Sequence, residues 1–134
     1  MFKLSKKVEY GLIAVKHMVL KGIDIPCSSK EISSKYKIPY DLLSKILQKL
    51  KKEKILVSIQ GTNGGYKLSV APDKITLAAI FNAIEGSTYI LDCGSHTDPE
   101  HCSIYETCII SSPLKKIQQS INSYFNTTKL SEIV

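Results

Sequence analysis

SSKEISSKYKIPYDLLSKILQKLKKEKILVS, residues 28–58, contains two helical patterns divided by a proline and followed by a strand pattern. Ser28 and Glu31 have capping-box spacing, and Ile32 and Tyr36 share one face of the helix that Ser28 would open. Lys37-Ile38-Pro39 interrupts that helix, because the residue before a proline disfavours helical torsions whereas proline suits a first turn. A further helix is expected from about Pro39 to Lys52, with Leu42, Leu43, Ile46, Leu47 and Leu50 as its buried stripe. Asp41, Ser44, Lys45, Gln48, Lys49 and Lys52 lie on the opposite side.

Outward from this stretch the pattern continues in both directions. Before it, Val8, Leu12, Val15 and Val19 fall at i, i+4, i+7 and i+11, the stripe of an amphipathic helix that Gly22 would end. After it, ILVSIQ (55–60) and YKLSV (66–70) read as two strands joined by GTNGG, in which Asn63-Gly64 is a hairpin signal because both residues tolerate positive φ. A fourth helix has Thr76 as its cap, Ile75 and Ile80 as a hydrophobic staple, and Gly86 as its stop. Ser112-Pro113 starts a last helix with Leu114, Ile117, Ile121 and Phe125 on one face. The fold class is therefore mainly α with a small β-hairpin: helix, helix, turn, helix, hairpin is the order of a winged helix-turn-helix. In that geometry the third helix enters the major groove of DNA and presents its polar N-terminal residues to base edges. Tyr40, Ser44 and Gln48 are placed to read bases, Lys45, Lys49 and Lys52 to neutralise phosphates. The wing would add Gln60, Thr62, Asn63 and Gly64.

Charge agrees with that assignment. Residues 1–54 hold 13 lysines and 5 acids, residues 55–134 hold 5 and 7, so the two parts carry +8 and −2 of the net +6. A basic first half suits a polyanion such as double-stranded operator DNA. No P-loop or dinucleotide fingerprint occurs, GTNGG sitting in a hairpin rather than before a helix, so an enzyme is not expected. The apolar runs fall short of the roughly 20 residues that span a bilayer, and no signal peptide is read at the start, which gives a cytoplasmic expectation and no membrane partner.

DCGSHTDPEHCSIYETC, residues 92–108, gathers Cys93, Cys102 and Cys108 with His96, His101 and four acids, and contains no lysine. Soft sulfur donors favour iron–sulfur or zinc over magnesium or calcium. Cys93, His96, Cys102 and Cys108 would make a permitted tetrahedral zinc set, and a metal-free thiol switch is the third possibility. Cys27, in a short apolar connection, reads as a small buried hydrophobe.

SKKVEYGLIAVKHMV, the quoted helix pair, GTNGGYKLS and ITLAAIFNAIEG together resemble the IscR/NsrR-type family of winged-helix iron–sulfur transcriptional regulators, over nearly the whole chain. The resemblance implies a homodimer that binds operator DNA and represses transcription. It also implies a 2Fe–2S or 4Fe–4S cluster, sensing nitric oxide, redox state or iron supply, on Cys93, Cys102 and Cys108 in the loop before a dimerisation helix. Three departures stand out: the C-x8-C-x5-C spacing has a long first gap, Gln60 replaces the arginine usual before the wing glycine, and Ser111 stands where IscR-like members have a histidine. The fourth ligand must come from elsewhere. Glu9 matches the N-terminal carboxylate that some NsrR-type members contribute from the partner subunit, with His96 and His101 as rivals. The expected organisation is a DNA-binding domain at 1–86, a cluster loop at 87–112, and a dimerisation helix with its tail at 113–134.

Overall fold

The computed structural model describes residues 3–86, 104 and 107–133. Its first helix, α1 (Lys6–Lys21), begins at Ser5, whose Oγ accepts the Val8 N–H at 3.3 Å, and ends at Gly22 with φ 123°. α2 (Ser29–Tyr36) is capped by Ser28, whose Oγ accepts the Glu31 N–H at 3.0 Å. Only half of the capping box forms, because the Glu31 carboxylate turns to His17 and Lys21 instead of back to Ser28. Lys37 stops α2 in the left-handed conformation, φ 57°, and Pro39 precedes α3 (Tyr40–Lys52) as its cap residue. β1 (Leu56–Ile59) pairs antiparallel with β2 (Gly65–Leu68), with Leu56 opposite Leu68 and Ile59 opposite Gly65. The chain then makes a 3₁₀ turn at Pro72–Lys74 and enters α4 (Leu77–Glu85), capped by Thr76. α5 (Ser111–Thr127) and a second 3₁₀ turn at Leu130–Glu132 complete the described residues.

One core joins these elements: Val8, Val15 and Met18 of α1, Ile32 of α2, Leu43, Ile46, Leu47 and Leu50 of α3, Leu56 and Leu68 of the hairpin, and Ile80, Phe81 and Ile84 of α4. The α1 face differs from the expected stripe. Leu12 and Val19 are half-buried at its edges, while Gly11, Ala14 and Met18 face inward. Small residues there let α4 come close: a Cβ on Gly11 would lie 2.4 Å from Ile84 Cδ1. The hairpin loop also differs. Its positive φ values belong to Gly61 and Gly65 rather than to Asn63-Gly64, because a five-residue loop, not a two-residue turn, joins Ile59 to Gly65. The chain end returns to the core, where Leu130 is fully buried, its N–H donating to Ile75 O at 2.7 Å, and Thr128 O accepts from the Leu77 N–H at 3.0 Å.

Candidate nucleic-acid interface and cysteine site

α3 lies across α1, α2 and α4 with its leucine stripe inward, which leaves one face to solvent. Tyr40 opens the helix and is 53% exposed; Lys45, Gln48 and Lys52 are exposed along the same element. Lys49 is exposed as well but carries a tertiary hydrogen bond, and Ser44 is half-buried. Lys49 Nζ donates to Ile84 O at 3.2 Å, tying α3 to the last turn of α4. Ser44 Oγ is shielded from solvent, with no hydrogen-bond partner among the described residues. In the wing, Gln60, Thr62 and Asn63 are exposed at the loop, and Gly64 is half-buried, where an added Cβ would collide with Ile59 O.

The wing is fastened at its base. Cys27, in the α1–α2 connection, exchanges both backbone hydrogen bonds with Tyr66, Cys27 N–H to Tyr66 O at 2.9 Å and Tyr66 N–H to Cys27 O at 2.7 Å. Gly65 is required beside it, because a Cβ there would lie 2.4 Å from Cys27 O. The hairpin thus gains a short third edge, which sets the wing relative to the helix-turn-helix.

Of the cysteine site, Cys108 lies among the described residues, whereas Cys93, Cys102, His96 and His101 lie outside them. Cys108 is half-buried just before α5. The backbone N–H of Ile110, helped by the N–H and hydroxyl of Ser111, lowers the pKa of its thiol from the usual value, which eases its deprotonation. Glu9 is half-exposed in the first turn of α1, paired with the exposed Lys6 at 2.9 Å. One group of ligand-type side chains is not apparent in sequence reasoning. His17, Glu31, Lys21 and Tyr36 form a hydrogen-bonded network beside Cys27: His17 Nε2 to Glu31 Oε2 at 2.7 Å, Lys21 Nζ to Glu31 Oε1 at 2.6 Å, and His17 Nδ1 to Tyr36 Oη at 2.9 Å. The i, i+4 spacing of His17 and Lys21 is its only sequence signal, and the carboxylate they meet lies beyond a turn.

Residues 4–134 match the family model of Rrf2, described as iron-dependent transcriptional regulator. The chain belongs to the Rrf2 family. Like its relatives, this Rrf2-family protein is a transcription regulator and not an enzyme. It is 25% identical over 132 residues to the HTH-type transcriptional regulator IscR of Aliivibrio salmonicida, covering 98% of this chain and 77% of the relative. It is 27% identical over 106 residues to NsrR of Halalkalibacterium halodurans, covering 79% and 72%. The structure of CymR, the global cysteine regulator of B. subtilis, shares the fold with a TM-score of 0.74 at 24% identity, covering 99% of this chain and 96% of that one. The winged-helix arrangement, mainly helical with one antiparallel hairpin, is thereby the family's fold. No helix among the described residues is long and apolar enough to cross a membrane.

Proposed function

We propose that this Rrf2-family protein is a homodimeric repressor whose operator affinity is set by an iron–sulfur cluster on Cys93, Cys102 and Cys108, with the partner subunit's Glu9 as fourth ligand. The observation that carries the reading is Cys108: a half-buried thiol just before α5, with amide N–H groups placed to stabilise its sulfur charge, is a fitting soft ligand. Glu9 suits the fourth position, since an exposed i, i+3 ion pair with Lys6 is weak and gives way readily. The cluster would supply a centre sensitive to nitric oxide, redox state or iron supply. The rest is done by the chain. Glu9 lies in the first turn of α1, and α1 packs on both α3 and α4, so a pull on Glu9 reaches the recognition helix. A coupling of about 1–3 kcal/mol between such sites changes operator affinity roughly 5–150-fold.

The same Cys108 thiol also supports a second reading, a zinc-bound or metal-free thiol switch. Anaerobic purification with visible absorption, iron and sulfide analysis separates them. The expected result is a coloured protein that bleaches in Cys93→Ala, Cys102→Ala and Cys108→Ala, and whose cluster is weakened in Glu9→Ala. Colourless protein with stoichiometric zinc would overturn the cluster. An unchanged spectrum and stability in Glu9→Ala would move the fourth ligand to His96 or His101.

A further inference from the structure

The network beside the wing contains three kinds of metal donor. One ring nitrogen of His17, Sγ of Cys27 and one carboxylate oxygen of Glu31 lie within 4.8 Å of one another. A tetrahedral zinc ion, bound at about 2.0–2.3 Å, needs its donors about 3.3–3.6 Å apart, so rotamer adjustments of about an ångström would close the set. We propose that His17, Cys27 and Glu31 form a metal site inside the DNA-binding unit, for one borderline-soft divalent ion of the zinc class.

The surroundings suit that ion. A metal at Nε2 of His17 requires the ring proton at Nδ1, where the Tyr36 hydroxyl stands 2.9 Å away to accept it. The two Glu31 oxygens divide their work: Oε2 faces His17 and the metal position, while Oε1 is held by Lys21. On binding, the Cys27 thiol loses its proton to solvent, and thiolate and carboxylate together neutralise the dication. Glu31, with 36% of its side chain exposed, gives the ion its path in and a water its place as fourth ligand. The donors also stand on fixed backbone, since His17 is in α1, Glu31 in α2, and Cys27 is pinned by its two hydrogen bonds to Tyr66. A hydrogen-bonded network that only tied α1 to α2 would need His17, Glu31 and Lys21, but no sulfur beside them. An ion here would clamp α1, α2 and the base of the wing into one unit, independently of the loop cysteines.

Cobalt(II) titration of full-length protein carrying Cys93→Ser, Cys102→Ser and Cys108→Ser tests the site with the loop thiols removed. One equivalent should bind, giving a thiolate-to-cobalt charge-transfer band and tetrahedral ligand-field bands, and zinc should displace it and raise the melting temperature. Adding Cys27→Ser should abolish the charge-transfer band. Should that variant fail to fold, Glu31→Gln, which keeps the backbone N–H that Ser28 caps, should weaken binding at least tenfold. Absence of the band in the triple variant overturns the proposal, as does a band that survives Cys27→Ser or, where that variant is unfolded, binding unaltered by Glu31→Gln. Either result leaves the iron–sulfur reading untouched, because that reading is tested on the three loop cysteines.

Discussion

Gly65 shows how one residue decides the geometry of the wing. Its φ of 152° lies in a region that side chains rarely adopt, and a Cβ would collide with Cys27 O at 2.4 Å. Backbone on both sides of the contact leaves nothing flexible to yield. Gly65→Ala is therefore expected to cost about 2–3 kcal/mol in urea unfolding, from positive-φ strain and the loss of the Cys27–Tyr66 pairing. Gly61→Ala, with positive φ but open space around it, should cost about 1 kcal/mol. An equal loss at both positions would mean that the Cys27 approach contributes nothing. The sequence displayed a glycine-rich hairpin but pointed to Asn63-Gly64 as its turn, because that dipeptide signal reports local torsional tolerance only. Gly65's constraint comes from Cys27, 38 positions earlier, and local chemistry cannot reveal it.

At the scale of elements, α3 was legible because its two faces differ at helical period. Leu43, Ile46, Leu47 and Leu50 are buried as expected, with Leu42 half-buried at the margin. The polar face was less legible, since periodicity assigns a side but not a partner. Lys45 and Lys49 are both exposed, but Lys49 also donates to the Ile84 carbonyl at the end of α4. The two lysines should therefore behave differently on DNA. Lys45→Ala is expected to lower the slope of log affinity against log salt by about 0.9, the loss of one phosphate contact. Lys49→Ala should leave that slope nearer to wild type and instead lower the melting temperature. Equal slope changes in the two variants, read by fluorescence anisotropy across a salt series, would return Lys49 to the interface. Glu31 teaches the same lesson: its capping-box spacing was visible, but His17 and Lys21 on another helix take the carboxylate.

Across the whole molecule, the tail was the least legible part. Leu130 follows Asn126-Thr127-Thr128-Lys129 with no periodic neighbours, and its burial depends on backbone pairing with Ile75 and Leu77 that no local pattern announces. This return fixes the direction of α5. Thr128 meets Leu77 at the start of α4, and one turn further in Phe125 stacks edge-to-face on Phe81 with centroids 4.7 Å apart, so the two helices run antiparallel. α4 has 9 residues and α5 has 17, so the first part of α5 projects beyond the end of α4 by very roughly 12 Å at 1.5 Å per residue. α5 buries none of its residues completely, and Ile117, on its apolar stripe, remains 49% exposed. An apolar stripe on a projecting helix suits a two-fold partner presenting the same face. Ile117→Glu should therefore convert a dimer to a monomer in analytical ultracentrifugation while leaving the helical circular dichroism intact, since Ile117 is outside the core cluster. Operator binding should fall in the same variant, because two recognition helices would no longer reach successive major grooves about 34 Å apart as one unit. A wild-type protein that sediments as a monomer at micromolar concentration, or an Ile117→Glu variant that remains dimeric, would remove α5 from the interface and leave its apolar face to another role.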